Sequence, residues 1–232
     1  MNKHVKVFVG LVVTALIFYY SNVLGSRIII NSDFIPRSFT IHTLMLLLSL
    51  ITIGVLRKEV QYRIAWPKLI RIFRPILFGF LGFFVVNILF GIITMIATGD
   101  AAESHPVLER MDALQIFVFI FIYASIAEEF LFRGFLMNLL KPLSDKGIKL
   151  FKRKISLPVI IAAVLFGLGH LVLIKGGASP LFLVRVVTAT TVLGLVAGYY
   201  QEKYENNAYA IIAHMAGNLL GLIPAIISSY LA

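Results

Sequence analysis

Seven stretches of this chain are each apolar over close to the length of a bilayer-spanning helix, and that pattern limits the fold more than any other feature. They cover residues 5–24, 40–56, 75–98, 113–138, 157–174, 181–200 and 208–231. A helix needs about 20 apolar residues to cross the hydrocarbon core. Helices also satisfy their own backbone hydrogen bonds where no water is present. The composition agrees: 59% of residues are hydrophobic and 14% charged, against about 45–50% and 25% in soluble domains. The expected fold is all-α, a polytopic membrane helix bundle with about seven transmembrane helices. The first run, Val5 to Leu24, follows a basic start as a signal peptide would. It is too long for a typical signal and no small-residue cleavage site follows, so it reads as a retained helix. The chain has no cysteine, which removes disulfides, thiol nucleophiles and thiolate metal sites.

Charge then sets an expected topology. With the N-terminus inside, 15 of the 21 Lys and Arg residues fall on cytoplasmic segments, chiefly 57–74 and 139–156. Four fall outside (Arg27, Arg37, Arg110 and Lys175), and Arg133 and Arg185 lie within spans. The loop 99–112 carries Asp100, Glu103, Glu109 and Asp112 and belongs outside. That asymmetry is the positive-inside pattern, so the net charge of +10 reads as topology and attraction to anionic headgroups, not as nucleic-acid binding. The expected location is a bacterial cytoplasmic membrane. Between Tyr62 and Arg74 basic and apolar residues alternate around Trp66 and Pro67. Two readings stay open there, an interfacial amphipathic helix or a basic loop, and an eighth short or re-entrant span is a further option. Residues 1–112 form an N-terminal helical part and 113–231 a core. Gly194-x-x-x-Gly198 and Ala213-x-x-x-Gly217-x-x-x-Gly221 are small-residue stripes for close helix contact.

The fourth span carries the strongest chemical signal, Ser125-Ile-Ala-Glu128-Glu129-Phe-Leu-Phe-Arg133. Each ionised group near the bilayer centre costs roughly 2.5–3.5 kcal/mol. Three cost about 9 kcal/mol, which cancels what some fifteen large apolar residues return. Such a span enters only if its charges find partners or a wet cavity. Glu129 and Arg133, at i and i+4, share a face and can pair, whereas Glu128 points about 100° away with no partner in the motif. Of the five histidines only His170 and His214 lie deep in spans. Phe166 and His170 share one helix face, and His214 and Asn218 another. At 1.5 Å rise per residue, Glu128 lies roughly 15 Å from the cytoplasmic end of its span, His170 roughly 16–20 Å and His214 to Asn218 roughly 9–15 Å. Side chains at one depth on three helices can converge.

A buried carboxylate beside imidazoles suits general-base activation of water. His170 would hold that water or relay its proton, and His214 with the Asn218 amide would donate to an oxyanion. The reaction so assembled is hydrolysis of a carbonyl compound, and the expected substrate bond is a peptide bond. One Glu and two His are also a three-ligand zinc set with an open position, so the cofactor reading stays at none or one divalent metal. There is no H-E-x-x-H and no G-x-S-x-G, and no Asp within a span for a dyad or triad. Ser125 reads as a packing residue. The competing readings are a non-catalytic immunity or scaffold protein and a proton-coupled transporter.

With these motifs in hand, the chain resembles the CAAX-protease and bacteriocin-processing (CPBP, or Abi) family of intramembrane proteases. Glu128-Glu129-x-x-x-Arg133 is similar to its EExxxR motif, Phe166-x-x-x-His170 to FxxxH and His214-x-x-x-Asn218 to HxxxN/B, in the family's order. The resemblance spans about 113–231. It implies a helical bundle that hydrolyses peptide bonds of a membrane-associated peptide or protein, with Glu128 and His170 on water, His214 and Asn218 on the oxyanion, and Glu129 and Arg133 in support. The eukaryotic relatives act on prenylated C-termini, while bacterial ones are linked to peptide maturation and self-immunity. Both metal-dependent and glutamate-based mechanisms are proposed for the family. A glutamate mechanism suits Asn218, a poor zinc ligand.

Overall fold

The computed structural model describes residues 1–106, 110–150 and 152–231; Glu109 of the acidic loop lies outside them. Within them seven helices are long and apolar enough to cross a membrane. They are α1 (Lys3–Gly25), α2 (Arg37–Val55), α3 (Leu69–Thr98), α4 (Ala113–Met137), α5 (Leu157–Gly176, its last turns 3-10), α6 (Pro180–Tyr204) and α7 (Ala208–Leu231). The ends follow from local chemistry. Asn2 accepts from the Val5 amide at the start of α1, and Ser179 from Phe182 ahead of Pro180 in α6; both are ordinary N-caps. Asp112 and Gln115 form a capping box on α4. Gly99, with φ +78, closes α3 in a conformation that costs other residues a Cβ clash.

α1 and α2 pack on each other and on α4, while α3 packs on α6 and α7, and α5 lies against α6. The second half of α4 is the centre of the core: Leu131 through Met137 are all buried. α3 is the opposite case, with only Pro75 and Gly79 buried along 30 residues. Its outer face of Leu, Ile, Phe and Met fits a lipid boundary rather than water. This is an integral membrane protein.

The small-residue stripes do bring helices close. A Cβ on Gly194 would stand 3.0 Å from the Ala163 Cα on α5, and one on Gly217 would stand 2.7 Å from Leu193 on α6. One close approach lies outside these stripes: a Cβ on Gly79 would lie 2.3 Å from the Ala213 carbonyl oxygen on α7.

The stretch Tyr62–Arg74 forms neither an interfacial helix of its own nor an eighth span. Residues 61–68 are irregular, and from Leu69 the chain is already α3. The turn between α6 and α7 supplies the reason. The Asn206 side chain bonds both the amide and the carbonyl of Ala65, the Tyr209 hydroxyl accepts from the Lys68 amide, and the Asn207 amide donates to the Arg63 carbonyl. Backbone groups satisfied this way do not need a helical ladder. The second basic segment is also partly extended. There β1 (Gly147–Leu150) and β2 (Arg153–Ser156) pair antiparallel, Gly147 opposite Ser156.

α4 is itself unusual. Ser125–Glu129 is α-helical, but Ile116–Ala124 before it and Phe130–Met137 after it are wound as π-helix. Wide turns leave carbonyls displaced from the regular ladder, and side chains take them up. Ser125 Oγ donates to Phe121 O at 2.8 Å, and Asn138 Nδ2 donates to Arg133 O and Gly134 O, both at 2.9 Å. π-turns are rare and concentrate where a helix must aim side chains at a site.

Candidate active site

The five α-helical residues of α4 place Glu128 and Glu129 about 100° apart, and the two carboxylates meet different surroundings. Glu129 faces the core and is fully buried. Its Oε1 accepts from Arg133 Nη1 at 2.8 Å and from His214 Nδ1 at 2.8 Å, and the Asn207 amide donates to its backbone carbonyl at 3.3 Å. One carboxylate oxygen therefore ties α4 to α7. The Arg133 guanidinium lies 4.8 Å over the Phe166 ring of α5, a cation–π contact that replaces part of its lost hydration. Phe166 stands between the imidazoles, its ring centroid 5.2 Å from His170 and 5.3 Å from His214.

Glu128 faces a cavity of about 520 Å³. Oε2 lies 3.7 Å from His214 Nε2 and Oε1 lies 3.4 Å from His42 Nε2. His170 and Asn218 line the same cavity. Of the six residues picked from sequence, Glu128, His170, His214 and Asn218 line this one cavity, while Glu129 and Arg133 are fully buried behind it. The ring nitrogens can be assigned from their partners. His170 Nδ1 meets the Phe166 carbonyl at 3.1 Å, an acceptor only, so Nδ1 carries the proton and Nε2 keeps its lone pair. His214 Nδ1 likewise donates to Glu129, leaving Nε2 toward Glu128. Asn218 gives its amide hydrogens to Ile120 O at 3.2 Å and to Ser125 Oγ at 3.0 Å. Ser125 is thus the buried structural residue expected, and it also holds Asn218.

The cavity extends from Glu128 to Ala102–His105 of the acidic loop. There Arg185 Nη2 donates to the Glu103 carbonyl and the Ser179 amide to the Glu103 carboxylate. The His105 ring packs edge-on against Phe182. Burial, reinforced by His170 and Arg185, lowers the His105 pKa to about 4, so this ring is neutral at pH 7. The walls between are largely apolar, with Phe18, Met45, Phe83, Phe132, Leu173 and Leu220.

Sequence reasoning missed His42 and Asn207. His42 sits near the start of α2, and depth counted in residues from a span's boundary ignores helix tilt and the level at which each helix begins. A histidine inside a 19-residue apolar helix was the available signal. Asn207 follows the last turn of α6, where polar residues are common and carry no message.

Whether these residues could hold a divalent metal such as zinc can be judged from the donors. Among the described residues no group of three or more His, Asp or Glu side chains is placed to hold a metal ion. His214 Nδ1 and His170 Nδ1 are bonded to Glu129 and to Phe166, and the Glu129 oxygen is shared with Arg133. As placed, the set does not fit a metal ion.

Comparison with known proteins agrees with the motif pattern. Residues 110–220 match the family model described as type II CAAX prenyl endopeptidase Rce1-like. Comparison with curated proteins gives no match, and comparison with solved structures gives none. Over residues 110–220, just under half of its length, the chain is similar to the Rce1-like type II CAAX prenyl endopeptidase family.

Proposed function

We propose that this protein is an intramembrane endopeptidase in which Glu128 activates the attacking water. The observation that carries the reading is the place of Glu128: among the described residues, the one deep carboxylate not locked in an ion pair with arginine, held between two imidazoles on the wall of a cavity inside the bundle. The Glu128 carboxylate takes a proton from water as the water oxygen bonds to the scissile carbonyl carbon. The proton then passes to the leaving amide nitrogen as the C–N bond breaks. His170 Nε2, with its lone pair free, accepts a hydrogen bond from that water. In its doubly protonated form His214 donates from Nε2 to the oxyanion. Asn218 joins it by exchanging its bond to Ser125 for one to substrate, while the Ser125 hydroxyl keeps Phe121. A general base contributes about 10²–10⁴ in rate and an oxyanion donor about 10²–10³. Glu129 and Arg133 fix His214 and keep a second carboxylate out of the reaction. No step is routed through a metal.

The substrate class that fits is a peptide or protein segment at the membrane, since apolar walls suit apolar side chains or a lipid-like group. The basic residues of 57–74 and 139–156 support an orientation with these segments and the N-terminus inside.

Glu128→Gln, His170→Ala and His214→Ala should each lower cleavage of a fluorogenic peptide library to background while the proteins still insert and purify, and a chelator should leave the parent's activity unchanged. Full activity in the three variants would end the catalytic reading. A second reading has its own support. The fully buried Glu129, Arg133 and His214 joining α4 to α7 are also what a purely structural cluster in a non-catalytic immunity or scaffold protein would look like. In that case Glu128→Gln keeps the protective phenotype and no peptide is cut.

A further inference from the structure

Three imidazoles surround Glu128, and they differ in how they are held. His214 is fixed through Nδ1 by Glu129 and His170 through Nδ1 by Phe166 O. His42 is fixed by neither device. Its Nδ1 is buried without a hydrogen-bond partner, and its Nε2 is directed at Glu128 Oε1 at 3.4 Å. Its side chain is only 12% exposed and lines the cavity. Burying an imidazole with one nitrogen unpaired costs free energy, and packing alone does not repay it when a leucine would fill the same place.

We propose that His42 is a positioning residue for the general base: its Nε2–H holds Oε1 of Glu128, so that Oε2 is the oxygen presented to water. This rests on the endopeptidase reading. A carboxylate on a flexible side chain has two equivalent oxygens and a freely turning terminal torsion; a donor on one oxygen selects which of them reacts. At 3.4 Å the contact is longer than a well-formed hydrogen bond, as is common in unliganded active sites, where such bonds tighten with substrate bound. His42 belongs to α2, outside the residues matched by the family model, so the N-terminal helices contribute to the site and do more than enclose it.

The experiment compares His42→Leu with His42→Gln, whose terminal amide keeps a donor near the Nε2 position. Purified proteins in detergent are assayed for kcat, KM and thermal midpoint, with Glu128→Gln alongside. The expected result is a kcat about 10- to 100-fold lower in His42→Leu, the scale of loss when a reacting group is misplaced by about 1 Å. KM and thermal midpoint should stay near the parent's, and His42→Gln should recover to within a few-fold. Parent-like kcat in His42→Leu overturns the proposal, as does a rise in KM alone, or a His42→Gln as slow as His42→Leu. If Glu128→Gln is itself fully active, it is the endopeptidase reading that fails.

Discussion

Glu128 and Glu129 are adjacent in sequence yet do different work, and the difference is one of partners. Glu129 receives an arginine and an imidazole on a single oxygen in a fully buried position. Such a pair contributes little net stability, but removing one partner strands a buried charge at a cost of about 3–5 kcal/mol. Arg133→Met should therefore lower the thermal midpoint sharply in detergent, whereas Glu128→Gln, at the cavity wall, should shift it little. Equal shifts in the two variants would mean that both carboxylates are structural. The Glu129–Arg133 pair was legible from the i,i+4 spacing, because a helix alone sets that geometry. The partners of Glu128 were not legible, because His42 and His214 come from helices far away in the chain.

At the scale of elements, the site depends on close helix contacts. The π-wound turns of α4 lie on both sides of the two glutamates, and nothing in an apolar run such as Ile116-Phe-Val-Phe-Ile120 announces them. They arise where a regular ladder gives way to packing, and Ser125 and Asn138 compensate the displaced carbonyls. α3 meets α7 at Gly79, one residue before His214 in the facing helix. Gly79→Ala must push the helices apart, since its Cβ would fall 2.3 Å from a backbone oxygen that cannot move alone. We expect a loss of about 1–3 kcal/mol and reduced cleavage through a displaced His214. Gly91→Ala, with nothing within 4 Å of its Cβ, should be neutral or stabilising, by up to about 1 kcal/mol. Thermal denaturation of both variants checks the contrast.

At the scale of the whole molecule, topology is the property to test, and a chain with no cysteine makes the test clean. Asp100→Cys, in the acidic loop, should react with a membrane-impermeant maleimide in intact cells. Lys149→Cys, on the exposed β1 strand, should react only after permeabilisation. The reverse pattern would invert the proposed orientation and put the acidic end of the cavity inside the cell.

What the sequence determined by itself was the number of helices, their approximate ends, the Glu129–Arg133 pair and the level at which polar side chains could meet. These follow from hydropathy and helical rise, which act over one span at a time. The tertiary structure decided which side chains touch. It placed His42 on Glu128, hung His214 between two carboxylates, pinned residues 61–68 to Asn206 and Tyr209, and wound α4 wide around its glutamates. Each of these depends on how helices tilt and pack against one another, a relation that no single stretch of sequence contains.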